Sequence, residues 1–278
     1  VNTYLWPKRR LARFFPYGKL PQKKFPLMNK WIVWCCILLA ACKPESPAPP
    51  QGSLAAYLAA HARLGRSQQL IACAAGGQAQ FLADTAFPVS VFFLPVEGAT
   101  DFRYFEAAAD APRDELSRYQ EQSLPLEPLF NGYLMRFLHP GAGEERWGRV
   151  TYIAGDSVHI CNAIRLKLPQ KPSEFAPELV SISFPAPTQP RFEWQDGRIK
   201  ENEIYFQVVS DQAGNLISGT YTYEPYFQFY DLSNVVLNIR DVQPPPTLSP
   251  NTPYVFTLMG VSIDNWVNLI AEKSFRTD

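Results

Sequence analysis

Proline placement sets the first limit on what this chain can fold into. There are 26 prolines among 278 residues, and many stand between short apolar runs rather than inside them. Proline lacks the backbone donor that a helix interior or central strand requires, so it is tolerated at strand ends and in loops. Pro88 and Pro95 bound Val89-Ser90-Val91-Phe92-Phe93-Leu94, a β-branched and aromatic run of strand length. Phe102, Tyr104 and Glu106 alternate against Arg103 and Phe105, and 132–138 is a further apolar run. Arg149–Ile153 and Val158–Leu168 flank Ala154-Gly155-Asp156-Ser157, which reads as a hairpin turn. On the second arm, Val158, Ile160, Ile164, Leu166 and Leu168 are expected to share a buried face, with His159, Cys161, Arg165 and Lys167 on a wetter one. Helical spacing is confined to Leu54–Leu64, capped by Ser53 and ended by Gly65, and briefly to 114–122. At 46% hydrophobic and 14% aromatic residues, the chain has enough apolar surface to fold around such strands. The expected class is all-β.

The beginning of the chain follows different rules. Residues 1–41 hold eight basic side chains and no acidic one, which leaves 18 basic against 26 acidic residues in the remainder, a net charge of about −8. An acidic body is a poor fit to phosphate backbones, so nucleic acid is not an expected partner. From Met28, the expected true start, a lysine precedes an uncharged run from Trp31 to Ala41, too short to span a bilayer as a helix. Leu39-Ala40-Ala41-Cys42 resembles the lipobox of bacterial lipoproteins. That resemblance implies cleavage before Cys42, acylation of its thiol and anchoring in a membrane. Lys43, rather than the aspartate that marks inner-membrane retention in that family, implies the outer membrane. The proline-rich stretch to Ser53 reads as an extended tether.

The last third carries a second resemblance. Leu248-Ser249-Pro250-Asn251-Thr252-Pro253-Tyr254, followed by alternating Val255-Phe256-Thr257-Leu258, resembles the Leu-x-Pro-x-Thr-x-Tyr corner of fibronectin type III domains. Trp194 stands where that family places its core tryptophan, and the resemblance implies that the Tyr254 hydroxyl bonds backbone just upstream. The insertion Gln243-Pro244-Pro245-Pro246 and the aromatic stretch 221–230 depart from the pattern. The expected division is therefore residues 1–41 for extension and signal, and 42–53 for lipidated cysteine and tether. Residues 54–168 follow as a short helix and first sandwich, 169–179 as a proline-dense linker, and 180–278 as the fibronectin type III-like sandwich. The two sandwiches are expected in tandem.

Chemistry-bearing constellations are sparse. Cys73 and Cys161 are available for a disulfide in an oxidising compartment, with two free thiols as the alternative. Gly155-Asp156-Ser157 superficially resembles the nucleophile block of Gly-Asp-Ser hydrolases, but Ser157 fits a turn, and His159 is too close to serve as a distant base. His61, His139 and His159 are scattered, and no metal-ligand spacing, phosphate-cradling glycine loop or cofactor fingerprint occurs. No metal, cofactor or catalytic residue is expected. Asn265 and Trp266 fall between the last two strands, where sandwich folds often place recognition loops, and are the candidate binding residues. The expectation is a non-enzymatic binding or assembly component of the cell envelope, with an envelope protein or a glycan as partner. A carbohydrate-binding or adhesin role and an envelope hydrolase are the alternatives.

Overall fold

The computed structural model describes residues 48–77, 86–168, 170–239 and 246–278. Met28, the lipobox residues Leu39, Ala40 and Ala41, and Cys42 lie outside the described residues, as do 243–245 of the proline-rich insertion.

Ser53 caps α1 (Leu54–Ala60) by accepting from the Ala56 amide at 3.1 Å. The helix ends at His61, short of the expected Leu64, and the chain turns directly into β1 (Gly65–Leu70). Nine more strands follow in the first half: β2 (Ala72–Gly76), β3 (Val89–Phe93), β4 (Thr100–Ala108), β5 (Gln120–Gln122), β6 (Leu126–Leu129), β7 (Leu134–His139), β8 (Arg146–Ala154), β9 (Ser157–Cys161) and β10 (Ile164–Leu166). They form one sheet in the order β1-β9-β8-β4-β5, with β10 beside β8, and a second in the order β2-β3-β7-β6.

The second half contributes β11 (Glu174–Phe175), β12 (Val180–Ala186), β13 (Gln189–Trp194), β14 (Asn202–Asp211), β15 (Leu216–Thr222), β16 (Tyr226–Gln228), β17 (Val235–Asn238), β18 (Pro253–Ser262) and β19 (Val267–Arg276). Its large sheet runs β11-β19-β18-β14-β15-β17 and its small one β12-β13-β16. The all-β sandwich class is as expected.

Strand alternation explains how these sheets stack. In β3, Val89, Val91 and Phe93 join the core between the first two sheets, while Phe92 points to the opposite face. There it meets Phe206 and Val208 of β14, Met259 and Val261 of β18, and Ile270 of β19. On β14, Tyr205 and Val209 turn the other way, against Phe192, Trp194 and Phe227 of the small sheet. The two inner sheets are thus covered on both faces, which is why β3 shows no exposed side. Outside the first sheet, Phe105, Ala107, Val158 and Ile160 pack under Leu54, Tyr57 and Leu58 of α1. The result is a helix and four sheets in successive layers, and Ala48–Asp278 forms one compact unit.

Two expectations change as a consequence. The 169–179 segment is not a free connector: Glu174 and Phe175 pair in parallel with Leu269 and Ile270. The wetter face assigned to His159, Cys161, Arg165 and Lys167 is not wet, because the chain breaks at Asn162-Ala163 and both faces of β9 are covered. Val158 and Ile160 lie against the helix side, while Cys161 joins Ile164 and Leu166 in the sandwich core. No helix among the described residues is long and apolar enough to cross a membrane.

Candidate functional site

The inward row of β4 begins as ordinary core and ends in a carboxylate. Tyr104 is fully buried between the first two sheets, and Glu106, two residues on, reaches the rim where that core runs out. Opposite it, β7 ends at His139. The imidazole Nε2 lies 2.6 Å from Glu106 Oε1, and the Tyr104 hydroxyl donates to the same oxygen at 2.9 Å. The Gly141 amide donates to His139 Nδ1 at 2.9 Å. Since Nδ1 must accept that bond, the imidazole proton sits on Nε2 and is donated to Glu106. Only 5% of the His139 side chain and 11% of the Glu106 side chain are exposed. Burial, then the neighbouring carboxylate, pushes the Tyr104 hydroxyl far above the usual tyrosine range, so it stays a proton donor.

Gly148, paired with Glu106 across the sheet, makes room for this arrangement. A Cβ there would approach the Tyr104 hydroxyl to 2.5 Å. Glu106 Oε2 has no hydrogen-bond partner among the described residues and faces a cleft of about 620 Å³ at this open end of the sandwich.

The cleft walls follow from register. Gln120 pairs with Glu106 and Gln122 with Tyr104, so the two amides share the Glu106 face of the sheet. Arg146 pairs with Ala108, one repeat beyond the Glu106–Gly148 pair and on the same face. Arg118 stands two residues before Gln120 and is exposed, with no ion pair among the described residues. Arg146 is held at 2.9 Å by Glu144. The Pro140–Gly143 loop forms the facing wall, and no Phe, Tyr or Trp ring lines the cleft. Together these groups present one unpaired carboxylate oxygen at the floor, two guanidinium groups and two carboxamides at the sides. That set binds polar and charged groups in defined directions.

The residues singled out in the sequence lie elsewhere. Trp266 is not a surface residue: it is 0% exposed and belongs to the first sandwich core. Its indole donates to the Lys171 carbonyl at 2.8 Å, and its backbone forms a bridge with Ala74. Asn265 adopts φ +63°, its carbonyl accepts from Ala74 at 3.0 Å, and its amide donates to Ala163 at the same distance. The β18–β19 turn therefore joins the two halves and does not form a free recognition loop.

Cys73 and Cys161 are free thiols. A disulfide between them is ruled out by alternation: Ala72 and Ala74 face the core that contains Cys161, which sends Cys73 to the opposite face of its sheet. Gly155 and Asp156 form a hairpin turn with Gly155 at φ +53°, and Ser157 begins β9. His159 stacks on Tyr152 at 4.8 Å, and His61 donates through Nδ1 to the Tyr57 carbonyl. Of the aromatic stretch 221–230, Tyr221, Phe227 and Phe229 are core.

The corner is present. Leu248 is buried, the Ser249 amide donates to the Tyr254 hydroxyl at 2.9 Å, and Thr252 donates to the Pro250 carbonyl at 2.9 Å. Trp194 packs on Tyr205 and Phe256. The cleft was not singled out in the sequence because Glu106 and His139 lie 33 residues apart. Its one trace there was a carboxylate continuing the inward row of Phe102 and Tyr104.

No family model and no curated protein matches the chain. Among solved structures it is similar to a two fibronectin type III domain segment from chicken tenascin, at 11% identity and a TM-score of 0.27, covering 68% of this chain and 91% of that one. It is also similar to the FN1–FN3 domains of chicken CNTN1, at 13% identity and a TM-score of 0.27, covering 77% and 68% respectively. A third similarity is to the glycoside hydrolase domain Endo-D from Streptococcus pneumoniae, at 10% identity and a TM-score of 0.29, covering 74% of this chain and 33% of that chain. Similarity at this level carries no argument about activity, and the sandwich assignment rests on the sheets and cores themselves.

Proposed function

We propose that this chain is an exported lipoprotein, anchored through Cys42, whose layered body is a non-enzymatic binding component of the cell envelope that takes its ligand in the Glu106–His139 cleft. The observation that carries the binding role is the cleft floor, where a nearly buried carboxylate is fixed by two neutral donors and keeps one oxygen free. A buried charge without a counter-ion is costly, and a ligand that supplies a donor or cation relieves that cost.

The anchor reading is supported by Leu39-Ala40-Ala41-Cys42 behind a basic start, and Lys43 favours the outer membrane. The tether reading is supported by the way the chain enters the body. Gly52 accepts from the Glu121 amide at 3.0 Å and the Leu54 amide donates to Tyr119 at 2.9 Å, which secures the entry point beside β5. Rigid layers behind the cleft suit a preformed site. The glycan alternative is not favoured by this cleft, since sugars commonly stack on the broad faces of Trp and Tyr and neither lines it.

The experiment is mass analysis of the mature protein from membranes. The expected result is an N-terminal Cys42 carrying acyl chains, with Cys42→Ser shifting the protein into the soluble fraction. An unmodified Cys42 in a soluble protein would refute the anchor.

A further inference from the structure

We propose that the cleft binds a short zwitterionic peptide, its ammonium on the free oxygen of Glu106 and its carboxylate on Arg118 and Arg146. This rests on the cleft being the ligand site and names the ligand class.

Charge placement carries the argument. Glu106 is the one carboxylate lining the cleft among the described residues, and the groups that hold it, the Tyr104 hydroxyl and the His139 Nε2 proton, are neutral donors. They orient the carboxylate without neutralising it, so the free oxygen selects a cation that can donate several hydrogen bonds. A primary ammonium meets that need, whereas a neutral hydroxyl leaves the charge uncompensated.

At the cleft edge the signs reverse. Arg118 has no ion pair among the described residues, and Arg146 shares its guanidinium with Glu144, an exposed contact of 2.9 Å that a competing anion displaces at little cost. Guanidinium groups match the planar two-oxygen geometry of a carboxylate. Arg118 closes the 3-10 turn Leu116–Arg118, two positions before Gln120, the residue paired with Glu106, and lines the same cleft. An extended tripeptide carries its ammonium and carboxylate at opposite ends, roughly 10 Å apart. Gln120 and Gln122 offer both a donor and an acceptor to the peptide groups between the two ends.

The test is calorimetric titration of the full body with trialanine, N-acetyl-trialanine and trialanine amide as probes. The expected result is that trialanine binds and that blocking either end weakens binding about tenfold or more, the size of a lost charge-assisted hydrogen bond. Glu106→Gln should abolish the penalty of N-acetylation and leave that of amidation. The double variant Arg118→Gln/Arg146→Gln should do the reverse.

Gly143→Trp is a second, independent variant. A Cβ there meets nothing within 4 Å and the position is exposed on the cleft wall, so an indole has room to stand in the cleft, and it should abolish trialanine binding. Equal binding of free and blocked peptides, or no binding of trialanine, overturns the inference. Glucuronic acid, titrated in parallel, separates the two readings. Binding of glucuronic acid that Gly143→Trp removes, without trialanine binding, keeps the cleft as the ligand site and discards the peptide. Binding of neither probe counts against both.

Discussion

Trp266 shows how far a single residue can stand from its apparent role. In sequence it sits in a short polar turn between two strands; in the structure it is the plug by which the second half enters the first sandwich core. Substituting Trp266 by Ala removes a fully enclosed indole and its hydrogen bond to Lys171. The expected cost is about 3–5 kcal/mol of unfolding free energy in urea denaturation. A variant as stable as the parent would show that the turn is not part of the core. What hid this was the absence of any local mark: Asp264-Asn265-Trp266 has the composition of an exposed loop, and burial came from a core drawn from the first half, while the hydrogen-bond partner Lys171 lies 95 residues away. The corner around Tyr254 was legible for the opposite reason. Its hydroxyl reaches Ser249 only five residues back, so the whole device is written in one short segment.

Elements were legible where their side chains alternate and obscure where backbone pairing alone defines them. The runs that became β3, β14 and β18 announce themselves by apolar content. By contrast β1, Gly65-Arg66-Ser67-Gln68-Gln69-Leu70, is largely exposed and polar and exists because it pairs in parallel with β9. No periodicity could have revealed it. The candidate site suffers the same way, since it needs β4, β5, β7 and β8 to come into register before its groups meet.

Alternation also fixes the behaviour of the thiols. Burial pushes Cys161 up to about 11 and Cys73, whose surface is not wholly covered, up to about 12. Thiolate is the reactive form, so at pH 8 both should resist iodoacetamide in the native protein and react more than tenfold faster once unfolded. Mass mapping of alkylated peptides checks this. Rapid labelling of native Cys73 would mean that the contact between the two inner sheets opens.

Across the whole molecule, the shared core between the inner sheets couples the two sandwiches. Phe92 and Leu134 from the first half pack with Phe206, Met259 and Ile270 from the second. Lys167 meets Asp264 at 2.7 Å, and Ser173 bonds both the Gly76 amide and the Val267 carbonyl. Two sandwiches joined in this way should unfold together. Calorimetry is expected to show one transition, and Phe92→Ala should lower it as a unit, whereas two separable transitions would mean independent domains. This coupling places the cleft on a body whose layers share their cores.

The most direct test of that account is photo-crosslinking in intact cells, with a short aliphatic diazirine side chain, too small to fill the cleft, placed at Gly143 or, as a control, at Ile263, which is 82% exposed and belongs to the β18–β19 turn. The account predicts a discrete adduct from position 143, none from position 263, and loss of that adduct when Cys42→Ser removes the anchor. Adducts of equal yield at both positions, or an adduct from 143 that survives loss of the anchor unchanged, would contradict a cleft that binds its ligand at the membrane.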